Sequence, residues 1–131
     1  MSFGQRDYDR TKPEIDFPEH EVPTELVIED LIPGDGAEVQ RGNTVSAHYV
    51  GVAFSTGEEF DSSWGRGNPL DFTVGVGQVI QGWDQGLLGM KVGGRRRLEI
   101  PSELAYGERG ASGAIAPNEA LIFVVDLVGV R

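Results

Sequence analysis

Glycine sets the first limit on this chain: nineteen of its 131 residues are glycine, spread along the whole length. A glycine lets the backbone turn with positive φ or approach a neighbour closely, and it weakens any helix that contains it. Short strands joined by many turns are therefore expected, and long helices are not. The apolar pattern points the same way. Thr44 to Phe54 alternates, with Val45, Ala47 and Tyr49 on one face and Ser46, His48 and Val50 on the other. Leu26 to Ile32 is an apolar run closed by the turn sequence Pro33-Gly34-Asp35-Gly36. Leu70 to Val74 and Arg95 to Ile100 read as further short strands; Arg96, Leu98 and Ile100 share one side of the latter. Leu121 to Val130 is the most apolar, with Leu121, Phe123, Val125 and Leu127 on one face.

One segment departs from this habit. Within Gln78 to Met90, the residues Val79, Ile80, Trp83, Leu87 and Met90 recur at helical spacing. Gly82 and Gly86 are four apart and share a face. Each costs an isolated helix about 1 kcal/mol relative to alanine, so a helix that keeps both is expected to press its backbone against something. One short helix among about five strands predicts an α+β domain, a curved antiparallel sheet wrapped around that helix. Residues 101–119 read as a helical turn followed by a Gly- and Ala-rich loop, long enough to suggest a functional loop.

The chain divides into an extension, residues 1–24, and a folded domain, residues 25–131. The extension holds Pro13, Pro18 and Pro23, is rich in charge and has no apolar period, so it is expected to fray. Phe3, Tyr8, Ile15 and Phe17 are its candidates for docking as an extended arm. A net charge of −10 argues against a nucleic-acid backbone as main partner. No cysteine is present, which removes disulfides, thiolate catalysis and cysteine-ligated metals. With no apolar leader at Met1 to Asp7 and no run approaching roughly 18 apolar residues, a cytoplasmic protein with no membrane span is the default.

Few residues suggest bond-breaking chemistry. His48 is the domain's single histidine, and no second histidine or cysteine lies near it in sequence to make a metal site. No Gly-x-Ser-x-Gly elbow occurs. Turn polarity explains Glu58 and Glu59 after Thr56-Gly57, whereas Asp61, between an aromatic residue and two serines, is less easily dismissed. The glycines from Gly107 to Gly113 lack the Gly-Lys-Ser/Thr of a phosphate loop, and Arg95-Arg96-Arg97 reads as a solvated charge run. What remains is a set of aromatics, Tyr49, Phe60, Phe72, Trp83, Tyr106 and Phe123, which by residue type alone read as core.

The phrases around those aromatics carry more. His48-Tyr49-Val50-Gly51, Glu59-Phe60-Asp61-Ser62-Ser63, Val79-Ile80-Gln81-Gly82-Trp83-Asp84, Met90-Lys91-Val92-Gly93, Ile100-Pro101 and Ala105-Tyr106-Gly107 resemble, in order and spacing, the FKBP-type peptidyl-prolyl isomerases, the macrolide-binding immunophilins. The resemblance covers about Glu25 to Arg131. It implies a five-stranded antiparallel half-barrel around one short α-helix, and a proline pocket formed by Tyr49, Phe60, Asp61, Val79, Ile80, Trp83, Tyr106, Ile115 and Phe123. Trp83 would be its floor, with Tyr49, Phe60 and Phe123 as walls. The Ile80 amide and the Tyr106 hydroxyl would donate to bound carbonyls, and Arg66 would pair with the tyrosine and aspartate. Leu70 stands where many members carry a wall aromatic, and Ala111 where some carry a flap histidine; Ala114 and Ala116 make the flap tip small. The implied protein is a monomeric isomerase that takes proline-containing polypeptides, and rapamycin or tacrolimus, with no cofactor and no metal. A module that holds proline segments without turning them over, and a purely structural or regulatory interaction protein, are the alternatives.

Overall fold

The computed structural model describes residues 11–16, 18 and 20–131. Six strands form one antiparallel sheet: β1 (Val27–Ile32), β2 (Thr44–Ala53), β3 (Glu59–Ser62), β4 (Leu70–Thr73), β5 (Arg95–Ile100) and β6 (Leu121–Val130). Their order is β1-β5-β6-β2-β3, with β4 also paired to β2. β4 lies along Thr44 to Ala47 and β3 along Val50 to Val52, so the two short strands occupy successive stretches of one edge. Five positions across the sheet thus hold six strands. The sixth strand is Glu59–Ser62, whose first residue the sequence assigned to a turn. A four-residue strand beside Thr56-Gly57 leaves too little alternation to be seen.

Among the described residues the one α-helix, α1, spans Gln81–Gly86 and is shorter than the periodic stretch around it. Ile80 has extended backbone, φ −58° and ψ 152°, and its carbonyl accepts from the Trp83 and Asp84 amides. Val79 and Ile80 therefore precede the helix. Beyond it the chain leaves helical geometry at Gly89, φ 82°. The paired glycines find their reason here. A Cβ on Gly82 would sit 2.5 Å from Ile100 Cγ2, and one on Gly86 3.0 Å from Leu98 Cδ2.

The main core lies between α1 and the concave face of the sheet, where Val45, Ala47, Tyr49, Trp83, Leu87, Leu98, Ile100, Leu121, Phe123, Val125 and Leu127 pack together. The convex face carries a smaller apolar cluster of Val52, Phe54, Ala120 and Ile122. Ile15 of the extension packs on that cluster. Further contacts run beside it: Lys12 Nζ to Glu59 at 2.6 Å, His20 Nε2 to Glu99 at 3.0 Å, and Arg95 donating to the Thr11 carbonyl at 3.2 Å. Phe3, Tyr8 and Phe17 lie outside the described residues.

The arginine run is not a solvated face. Arg95 makes a two-pronged pair with Asp126 at 2.7 and 2.9 Å, Arg97 pairs with Glu99 at 3.0 Å, and Arg96 is 7% exposed. Strand alternation sends Arg96 beneath the helix and its neighbours onto the convex face, where each meets an acid.

Candidate functional site

The concave face opens into a cavity of about 180 Å³ lined by Tyr49, Phe60, Asp61, Leu70, Gln78, Val79, Ile80, Trp83, Tyr106 and Phe123. Its floor is Trp83, 3% exposed, on the inward side of α1. Tyr49 and Phe123 meet the indole edge-on, at centroid separations of 5.1 and 5.2 Å and angles of 81° and 83°. Phe60 stands edge-on to Phe123 at 5.5 Å, and Phe72 supports the indole from the core at 5.4 Å. Edge-to-face packing of this kind fixes ring planes as well as burying area. The walls are therefore stiff.

Glycine makes the wall possible. Gly51 pairs across the sheet with Phe123 on one side and Asp61 on the other. A Cβ there would lie 2.6 Å from Phe123 Cε1 and 2.8 Å from Phe60 Cζ. The two rings occupy the space that any side chain at this position would need.

One side of the cavity is polar. The Tyr49 hydroxyl donates to Asp61 Oδ2 at 2.6 Å and accepts from Arg66 Nη2 at 2.8 Å. Arg66 Nη1 and the Ser62 amide donate to Asp61 Oδ1 at 3.1 and 2.9 Å. Burial works against the Asp61 charge, but the Tyr49 and Arg66 hydrogen bonds, the Arg66 charge and the Ser62 amide together hold the carboxyl below its ordinary value. Burial pushes the Tyr49 hydroxyl up, aided by Asp61 and opposed by Arg66. The pair is thus a carboxylate and a neutral phenol at neutral pH.

Behind this network Ser63 is fully buried and accepts from the Tyr49 amide at 2.7 Å. His48 Nδ1 lies 2.8 Å from the same hydroxyl, and its ring stacks on Trp64 at 4.4 Å. Burial lowers the His48 pKa, with Asp126 opposing. On the opposite rim Asp84 accepts from the Gly75 and Gly77 amides at 2.8 and 2.9 Å, tying the loop that carries Gln78, Val79 and Ile80 to α1. Among the described residues, the Ile80 amide and the Tyr106 hydroxyl have no hydrogen-bond partner. Tyr106 is 41% exposed, between the short 3-10 turns Ser102–Leu104 and Gly107–Arg109.

Of the residues expected from the sequence, Tyr49, Phe60, Asp61, Leu70, Val79, Ile80, Trp83, Tyr106 and Phe123 face one cavity. Arg66 stands behind it, bonded to Asp61 and Tyr49. Ile115 is 7% exposed in the main core and is not among the cavity's lining residues. Sequence reasoning passed over Gln78, which lines the cavity while its Oε1 accepts from the Thr73 amide at 2.9 Å. The available signal was a lone amide beside Val79 and Ile80. No group of histidine and acidic side chains suited to a metal ion occurs among the described residues.

The pattern of the FKBP-type peptidyl-prolyl cis-trans isomerases matches residues 36–128. The chain belongs to that family. An FK506-binding protein of Streptomyces anulatus is 68% identical over 120 residues, 91% of this chain and 97% of that one. A peptidyl-prolyl cis-trans isomerase of Saccharomyces cerevisiae is 48% identical over 110 residues, covering 84% of this chain and 76% of the yeast protein. The crystal structure of AtFKBP13 superposes with a TM-score of 0.76 at 44% identity, covering 84% of this chain and 96% of that one. The FKBP-type domain is accordingly a rotamase, with the sheet and lone helix of its structural neighbours. No helix among its described residues is long and apolar enough to cross a membrane.

Proposed function

We propose that the aromatic cavity is where this isomerase holds an X–Pro segment and accelerates its cis–trans flip during protein folding. The observation that carries this is the pairing of a stiff apolar well, floored by Trp83, with an unbonded backbone donor at Ile80 on its rim. Rotation about a peptide bond faces a barrier of about 18–20 kcal/mol, because amide resonance must be lost. The twisted amide has less charge separation than the planar one, so a dry well favours it over the ground state. The proline ring rests on Trp83, Ile80 N–H holds a carbonyl of the bound chain, and the preceding carbonyl turns past Asp61 and Tyr49. No nucleophile, cofactor or metal enters this scheme. Each tenfold gain needs only about 1.4 kcal/mol of preference for the twisted form.

Proline-containing polypeptides are the substrates in this reading, the protein acts as a cytoplasmic monomer, and rapamycin or tacrolimus competes for the same well. Leu70 and the alanines Ala111, Ala114 and Ala116 leave a low rim, which bears on macrolide affinity. The test is the cis-to-trans rate of an acyl-Xaa-Leu-Pro-Phe peptide with and without rapamycin. Catalysis abolished by rapamycin supports the assignment. Rapamycin binding without catalysis, in folded protein, would turn the site into a holding module.

A further inference from the structure

We propose that Arg96 is a positioning residue for the pocket: it fixes where α1, and with it Trp83 and Ile80, sits on the sheet. The inference rests on the reading of the cavity as the isomerase site.

Helix α1 has six residues, two of them the glycines Gly82 and Gly86. A helix so short has no stability of its own and its last carbonyls lack partners, so its position must be imposed from outside. β5 imposes it at three points along one face. Ile100 lies under Gly82, where a Cβ would sit 2.5 Å away, and Leu98 lies under Gly86, where a Cβ would be tight at 3.0 Å. Arg96, the next residue on that face, reaches the helix end, where Nη1 donates to the Gly86 and Leu88 carbonyls at 2.9 Å each. Neither carbonyl has another hydrogen-bond partner among the described residues. The apolar contacts at Ile100 and Leu98 hold the helix at a set height above the strand. They do not by themselves stop it sliding along its axis or turning about it. The directional bonds from Arg96 supply that restraint at the Gly86 end, beside those that Asp84 takes from the Gly75 and Gly77 amides and those between Val39 and the chain at Gly89 and Met90.

The guanidinium is itself anchored. Arg96 and Asp30 are register partners across β5 and β1, and Nε and Nη2 donate to the Asp30 carboxylate at 2.7 and 3.2 Å. This planar fork is bonded on one side to the edge strand and on the other to the helix end, which a lysine could not do with a single point charge. At the other end of the helix stand the groups that meet the substrate: Ile80, whose carbonyl accepts the first helical bonds, and Trp83, one turn in. A shift of the helix moves floor and donor together.

The experiment compares Arg96→Met, which keeps an apolar stem of similar length, with Arg96→Lys and with Ile122→Val, a core change on the convex face. Steady-state isomerisation is read beside the NMR shifts of the Ile80 amide and the Trp83 indole N–H. Arg96→Met is expected to lower kcat/KM about tenfold per folded molecule, with displaced Ile80 and Trp83 signals, since small misplacements far from the chemistry are costly. Arg96→Lys should recover little of the loss, and Ile122→Val should leave activity and both signals in place. Unmoved signals and unchanged kcat/KM in folded Arg96→Met overturn the inference, as does a loss matched by Ile122→Val at equal stability. Should Arg96→Met not fold, Asp30→Ala, which removes both acceptors of the fork at a half-exposed site, carries the same two readouts. The NMR shifts respond to the helix whether or not the cavity catalyses, so failure of the isomerase assignment would be seen separately.

Discussion

At Asp61 the balance between burial and hydrogen bonding has a definite pH signature. Its pKa is lowered in the folded protein, so its contribution to stability is present above the ordinary value of 3.8 and is lost as pH falls through the lower folded value. The isomerase rate should therefore stay flat as pH falls towards 4. Removing the guanidinium in Arg66→Leu should raise the Asp61 pKa and bring an acid limb into that range, readable by a pH–rate profile beside a carboxyl NMR titration. Asp61→Leu should lower turnover by more than it lowers stability; equal losses in an assay paired with urea melts would reduce Asp61 to a loop tie. Gly51 gives a steric counterpart. Gly51→Ala forces a methyl group against the Phe60 and Phe123 rings, and overpacking a stiff site costs about 1–3 kcal/mol. Chemical denaturation and a rapamycin titration should show stability and affinity falling together.

Among the elements, α1 poses a conflict between local propensity and packing. Gly82→Ala gains about 1 kcal/mol of helix propensity. It also drives a Cβ to within 2.5–2.9 Å of three Ile100 atoms in a fully buried site, and that should win. A net loss of stability on denaturation is expected; a gain would mean the strand yields. The two glycines made this packing legible in the sequence, because a helix former would otherwise be preferred at both places. The aromatic walls were legible through the phrases that flank them. Other features were not. Glu59 reads as turn polarity, yet it starts β3, because the pairing with Val52 is a long-range choice that no local pattern records. Arg96 reads as one of three like charges, and the signal that strand alternation would bury it, its place on one face with Leu98 and Ile100, was outweighed by the charge run. Ile115, which the resemblance alone brings to the pocket, packs against the main core and lines a neighbouring hollow of the 109–117 loop.

For the molecule as a whole, the described residues of the extension bear on stability and do not line the pocket. Ile15 covers convex-face apolar surface, and Lys12 and His20 bond to Glu59 and Glu99. We expect the 25–131 fragment to fold with a lower Tm than the full chain and unchanged kcat/KM. His20 has its pKa raised, first by the Glu21 carbonyl and then by Glu99. The charged contact is therefore fully present below the ordinary value of 6.5 and is lost as pH rises through the higher folded value. The Tm gap between full chain and fragment should narrow as pH rises from about 6 to 8. A gap independent of pH would take His20 out of the attachment and leave it to Ile15, Lys12 and Thr11.

The strand order carries a consequence for synthesis. β6 comes after every other strand in the chain yet lies between β5 and β2, and it supplies Phe123 to the cavity. Until it has been made, β5 and β2 have no common partner, and the two halves of the sheet cannot be joined. The domain should therefore remain unable to fold until Leu121–Val130 has been made and has left the ribosome. Its isomerase activity should then appear all at once.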